Sequence, residues 1–238
     1  MLLKKRILLL FIVGCCCFCL HASHKVYLLH GYIGWGGQML LIERALNENH
    51  IDCEAFSYPS LKIDIDSVGR LLYEKIKLDG VDSVSFVTHS MGALVVRSMY
   101  NHVETENAPF FPYRFVMIAP PNQGSPVADF FTQFKFATHI GGPNLYNLTT
   151  DKTDGAPKYP IPSCEIGLIS AGLRDDIGYN IFMEGNNDGL VVTEHMKLGT
   201  EKDVVYIKDT HAGLLINEKA IKCTVNFLKY GRFVPINE

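Results

Sequence analysis

The sequence predicts an α/β protein with a mostly parallel central sheet flanked by helices, and three observations carry that expectation. From Lys25 onward, short apolar runs alternate with longer amphipathic stretches, the pattern of a parallel sheet covered by helices. The run SVSFVTH, rich in β-branched and aromatic side chains, passes through Ser90 straight into a helical pattern carried by Ala93, Leu94, Val95, Met99 and Tyr100. A chain of 238 residues with 47% hydrophobic and 20% charged content can bury one sizeable core, which fits one domain better than two.

The N-terminus reads differently from the rest. Lys4, Lys5 and Arg6 precede an apolar run from Ile7 to Leu20, followed by the small residues Ala22 and Ser23, which is the pattern of a secretory signal peptide over 1–23. The run is shorter than the roughly 20 apolar residues of a spanning helix, so cleavage near Ala22 or Ser23 is favoured over a retained anchor. A second processing route is a lipoprotein signal over Ile12 to Cys15, leaving a lipid-modified Cys15. The expected location is therefore outside the cytoplasm, secreted or in the periplasm and cell envelope, with membrane-surface association left open. Four of the seven cysteines, Cys15, Cys16, Cys17 and Cys19, lie in this leader. Only Cys53, Cys164 and Cys223 stay behind, so at most one internal disulfide can form and the chain is no disulfide scaffold.

Over 24–238 the strands are expected at Val26 to His30, Cys53 to Tyr58, Val84 to Thr88, Phe115 to Ala119, Glu165 to Ser170 and Val204 to Ile207. Each is a short β-rich apolar run bounded by turn formers. Helices are expected at Gln38 to Asn47, Ile65 to Leu78, Met91 to Val103 and Asn217 to Tyr230, the last with Asn217 as its N-cap. The stretch of about 123–162 breaks the alternation. It repeats Gly and Pro, shows no clear strand and clusters Phe130, Phe131, Phe134 and Phe136, as a short cap over a site does. The same phenylalanines could instead close one side of the core.

A formal net charge of -3 without a dense Lys/Arg block argues against nucleic acid as a partner. The chemistry lies in the turn VTHSMG. A serine between strand and helix sits on a strained backbone that exposes its hydroxyl, and its neighbours two before and two after must be small. Gly92 meets that demand fully and Thr88 partly. Nucleophilic serine catalysis also needs a neutral imidazole, a carboxylate to fix its tautomer, and backbone donors for the oxyanion. In an α/β arrangement the chain order is Ser, then Asp or Glu, then His, the last two on loops after later strands. Asp188, in EGNNDGLVV, and His211, in DTHAGLL, satisfy that order. Asp175 and Asp176 compete for the acid role because they lie closer to the preceding strand. Asp209 is too near His211 for comfortable pairing, while His30 and His89 read as neighbours that hydrogen-bond loops. The first strand ends in LLHGYIGWGG, whose glycine-rich turn offers the Tyr32 N–H as one oxyanion donor, and the Met91 N–H after the nucleophile offers the other. The glycine pattern fits neither a P-loop nor a dinucleotide fingerprint. No cofactor or metal is called for.

These motifs together, HGY at 30–32, THSMG at 88–92, APPNQGSP at 119–126, NDG at 187–189 and THAGL at 210–214, resemble the α/β-hydrolase superfamily. Within it the chain is similar to the lipase and esterase branch that includes small bacterial triacylglycerol lipases and palmitoyl-protein thioesterases. The resemblance runs from about Lys25 to Leu228, with Thr88 where the nucleophile turn usually has its first glycine. It implies Ser90 as nucleophile, Asp188 as acid, His211 as base, and the N–H groups of Tyr32 and Met91 as the oxyanion hole. It also implies a small-molecule acyl ester, a lipid among the candidates, as substrate, cleaved through an acyl-enzyme, with the cluster Phe130, Phe131, Phe134 and Phe136 expected to form an acyl-chain pocket. A thioesterase or acyltransferase could run on the same triad, since only the acceptor differs. A non-catalytic lipid- or protein-binding domain is the reading from a different class.

Overall fold

The computed structural model describes residues 23–234. The leader reading over 1–23, with its cleavage site and Cys15, lies outside that range except for Ser23. Six parallel strands form one sheet: β1 (His24–Leu29), β2 (Cys53–Phe56), β3 (Ser83–His89), β4 (Phe111–Ile118), β5 (Glu165–Gly172) and β6 (Asp203–Lys208), in the order β2-β1-β3-β4-β5-β6. The register sets Val26 of β1 against Cys53 of β2 on one side and Ser85 of β3 on the other.

Burial explains the sequence pattern of the strands. In β3 every residue from Val84 to His89 is buried, because helices cover both sheet faces, and the strand reads as a nearly continuous apolar run. The edge strands β2 and β6 are only partly buried and carry charges such as Glu54, Asp203 and Lys208, which discourages pairing with another chain. Cys53 and Cys164 are partly buried, Cys223 is buried, and all three are free thiols.

The helices are α1 (Leu40–Glu48), α2 (Ile65–Asp79), α3 (Gly92–Thr105) and, after β6, the C-terminal helix (Glu218–Tyr230), numbered α7 here because three short helices precede it. Asp64 caps α2 by accepting from the Ser67 N–H, and Asn217 caps α7 by accepting from the Lys219 and Ala220 N–H groups. Packing pairs α2 with α3 and α1 with α7, one pair on each face. The chain steps from β1 outward to β2, then crosses back over β1 to β3. That reversal opens a crevice beyond the carboxyl ends of β1 and β3, where open α/β sheets place their ligands.

Between β4 and β5 the chain forms the three short helices α4 (Pro126–Thr132), α5 (Lys135–Gly141) and α6 (Asn144–Asn147) and no strand. Two buried polar residues hold this insertion down. Asn144, fully buried, accepts from the Ile65 N–H at 2.8 Å and donates to the carbonyls of Ser60 and Ile63 at 2.6 and 2.7 Å. Arg97 on α3 donates to the carbonyls of Asn122, Tyr159 and Pro160 and to Asn122 Oδ1. Burial pushes the Arg97 guanidinium down to about 10, so it stays charged at neutral pH, solvated by carbonyl oxygens. The phenylalanine cluster does not close the core: Phe130, Phe131, Phe134 and Phe136 are all substantially exposed, Phe136 at 76%. Among the described residues no helix is long and apolar enough to cross a membrane.

Candidate active site

The site is assembled from four chain segments at the carboxyl ends of the strands. β1 delivers the turn His30–Gly31–Tyr32. His30 is fully buried, and its Nε2 accepts from the Tyr58 N–H at 3.2 Å. That leaves the proton on Nδ1, which donates to the Gly31 carbonyl at 2.9 Å. The Tyr58 hydroxyl donates to the His30 carbonyl and its ring stacks on the imidazole at 4.1 Å. The first half of the turn is therefore rigid.

β3 delivers Ser90, whose φ of 54° places it in the left-handed region. The Ser90 N–H donates to the Ile118 carbonyl at 2.9 Å, tying the turn to β4. Small neighbours are required on both sides. A Cβ on Gly92 would lie 2.8 Å from the carbonyl oxygens of Leu29 and His30, and one on Gly31 would lie 2.9 Å from the Ser90 Cβ. Glycine at both positions is what lets α3, β1 and the Ser90 turn approach so closely. Thr88 fits but leaves its hydroxyl buried without a hydrogen-bond partner.

The loop after β5 delivers Asp188 and the turn after β6 delivers His211. Asp188 is 1% exposed. Its Oδ1 accepts from the N–H groups of Leu190 and Val191 at 3.0 and 2.8 Å, and its Oδ2 lies 2.6 Å from His211 Nδ1. The His211 N–H also donates to the Asp188 carbonyl at 2.9 Å, so the pair is joined through backbone as well as side chain. A carboxylate only accepts, so Nδ1 carries the imidazole proton and Nε2 keeps its lone pair. Of the competing acids, Asp175 instead accepts from the N–H groups of Ile177 and Gly178 within its own loop, and Asp209 accepts from the Asn217 side chain.

Ser90, His211, Gly31 and Tyr32 line one cavity of about 390 Å³, and Met91 sits at the start of α3 beside it. Most of the remaining wall is apolar: Val127, Ala128, Leu145, Leu148, Val191 and Leu215. Of the four phenylalanines in this insertion only Phe131 contributes to the wall; Phe130 and Phe136 on the short helices and Phe134 between them are exposed to solvent instead. The expected aromatic pocket is thus an aliphatic one. Among the described residues no cluster of three His, Cys, Asp or Glu side chains is placed to hold a metal.

Two residues beside the site escaped the sequence reading in their detail. Asn187 is fully buried; its Oδ1 accepts from the Asn180 and Gly189 N–H groups, and its Nδ2 donates to the carbonyls of Ile177, Asn180 and Gly185. It knits the loop that carries Asp188, and the only trace in the sequence is a run of turn formers, Asn186 to Gly189. His89, expected to hydrogen-bond a loop, donates from Nε2 to the His211 carbonyl at 2.9 Å. Burial, with the neighbouring His211 adding to it, pushes its imidazole down to about 3. A histidine whose folded value lies below its unfolded 6.5 stabilises fully above 6.5, and that contribution drains as pH falls toward 3. His89→Gln, which keeps a donor toward His211, should flatten the loss of stability on acidification by up to about 1.4 kcal/mol per pH unit. Urea unfolding at pH 7, 5.5 and 4 measures it, and parallel curves for the two proteins would contradict the assignment.

No protein-family model matches the chain, and no curated protein matches it in sequence. Its fold, however, has many counterparts among solved structures. The mature form of the Bacillus licheniformis lipase BlEst2 superposes with a TM-score of 0.64, covering 89% of this chain and 91% of the lipase at 19% identity. The lin2722 gene product of Listeria innocua gives 0.60 over 91% of this chain and 96% of its own at 16% identity. The metagenomic carboxyl esterase MGS0156 gives 0.60 over 82% and 66%, again at 16% identity. The chain has the α/β-hydrolase fold.

Proposed function

We propose that this protein is a serine hydrolase that cleaves carboxylic esters of apolar acyl groups, with Ser90 as nucleophile, His211 as general base and acid, and Asp188 as the buried acid behind it. The observation that carries this reading is the buried 2.6 Å contact between Asp188 and His211, the histidine lining the same cavity as Ser90, a serine at positive φ. Likeness in fold to a lipase and a carboxyl esterase supports it at the level of architecture.

In this mechanism His211 Nε2 takes the Ser90 proton as Oγ attacks the acyl carbon, and Asp188 stabilises the imidazolium that forms. The N–H groups of Tyr32 and Met91 stabilise the developing oxyanion; the Met91 N–H gains from the first turn of α3, whose dipole favours negative charge there. The proton then passes from His211 to the leaving alcohol, giving the acyl-enzyme. Water attacks the acyl-enzyme with His211 as base, releasing the acid and restoring Ser90. The apolar wall sets the acyl preference, since burying a methylene contributes about 0.8 kcal/mol.

Filling the cavity tests that wall. Leu148→Phe should lower kcat/KM for long-chain p-nitrophenyl esters at least about tenfold more than for the acetate, because overpacking penalises only chains that reach it. Equal losses across the series would remove the acyl-pocket assignment. The primary test is labelling with a fluorophosphonate probe, with and without Ser90→Ala, and parallel ester and thioester substrates then report which bond is preferred. Export rests on the leader alone, and N-terminal sequencing of protein recovered outside the cytoplasm reads it directly.

A further inference from the structure

Tyr32 does more than contribute a backbone N–H to the cavity wall. Its half-buried phenol reaches away from β1 and donates to the carbonyl of Gly141, the last residue of α5, at 2.5 Å. The helix it meets is poorly held. No residue of α5 is buried, and Phe136 and Ile140 are 76% and 59% exposed. Among the described residues the Tyr32 bond is the one side-chain hydrogen bond joining α5 to the body of the protein.

The turn that carries Tyr32 is equally one-sided. His30 fixes Gly31, and the Gly34 N–H closes on the Gly31 carbonyl at 3.1 Å. Beyond that, the turn projects through Ile33, at φ 55° and 65% exposed, toward solvent. The peptide between Gly31 and Tyr32 is anchored on its Gly31 side by the body and on its Tyr32 side by the cap. We propose that the Tyr32 phenol is a positioning residue that couples the docked state of α5 to the alignment of the Tyr32 N–H. The inference rests on the hydrolase reading, in which that N–H faces the oxyanion. Burial holds the phenol above its ordinary value, so it remains a donor throughout the working range.

Tyr32→Phe removes one oxygen and keeps both ring and backbone N–H. It should lower kcat on a short, soluble ester by about tenfold with KM changed less than about twofold, a smaller loss than the roughly 10²–10³ of deleting an oxyanion donor. It should also speed limited proteolysis within 133–142. Gly141→Ala attacks the same contact from the other side, since its Cβ would lie 2.7 Å from the Tyr32 hydroxyl. It should act in the same direction, and the double variant should be no worse than the stronger single. The proposal is overturned by a folded, labelled Tyr32→Phe with unchanged kcat, by a loss confined to KM, or by a kcat loss without faster cleavage of the cap. Failure of the hydrolase reading looks different, because the wild type itself would then resist fluorophosphonate.

Discussion

Ser90→Ala should abolish fluorophosphonate labelling and lower ester turnover by roughly 10⁴- to 10⁶-fold, while the thermal midpoint stays within a few degrees. The size follows from the mechanism: without Oγ no acyl-enzyme forms, and the remaining rate comes only from the oxyanion donors and substrate positioning. Stability should survive because the substitution leaves the backbone demands intact. Ser90 is held at φ 54° by its N–H bond to Ile118, and alanine already occupies φ 47° at Ala119 in the same fold. The hydroxyl is also small and lies against a cavity, so its loss opens no new void in the core. His211→Ala should produce a loss of the same order, and the double variant should be hardly worse than either, since nucleophile and base act as one unit. Additive losses, or persistent labelling of Ser90→Ala, would show that another residue carries the chemistry.

Asp188→Asn should lower kcat by about 10⁴-fold with little change in stability. The amide oxygen can still accept from the Leu190 and Val191 N–H groups, so the loop keeps its shape. The amide nitrogen then faces His211 Nδ1 as a donor, which draws the ring into the tautomer protonated on Nε2 and removes the base. Asp188→Ala differs in kind, because it leaves the buried Val191 N–H unsatisfied at about 1–3 kcal/mol, removes the acceptor of the part-buried Leu190 N–H and loosens the loop. Steady-state kinetics with thermal melts separates the two effects. If Asp188→Asn keeps more than a tenth of wild-type kcat, the acid role passes elsewhere, and Asp175→Asn becomes the variant to measure.

The parts of this site that could be read in advance are those written locally. Strand β3 shows as a run of β-branched and aromatic residues, and Gly92 marks the spot where a Cβ would lie 2.8 Å from the carbonyl oxygens of Leu29 and His30. The first is a local pattern that periodicity reveals; the second is a contact with the end of β1 that nevertheless leaves a local mark, a missing Cβ. Chain order likewise narrowed the histidine to His211, the one that follows a strand and precedes the last helix. The acid was harder, because Asp175, Asp176 and Asp188 share one loop and a loop's path does not follow from its composition. Asn187 settles that path with five side-chain hydrogen bonds to residues as far as Ile177. The insertion between β4 and β5 misled in a similar way, since four phenylalanines in seven positions suggest a buried aromatic wall. Two helices of seven residues and the turn between them have too little length to bury all of them, and Phe130, Phe134 and Phe136 are left to solvent.

By itself the sequence determined the α/β architecture and the strand–serine–helix turn, since each shows as a pattern among neighbouring residues, and it offered Ser90, Asp188 and His211, in that chain order, as the candidate triad. Only the tertiary structure decided which aspartate meets His211, that aliphatic rather than aromatic side chains line the cavity, and that the Tyr32 phenol reaches the cap. Those contacts join residues separated by 23 to 109 positions, and their geometry is set by how strands, loops and cap settle against one another.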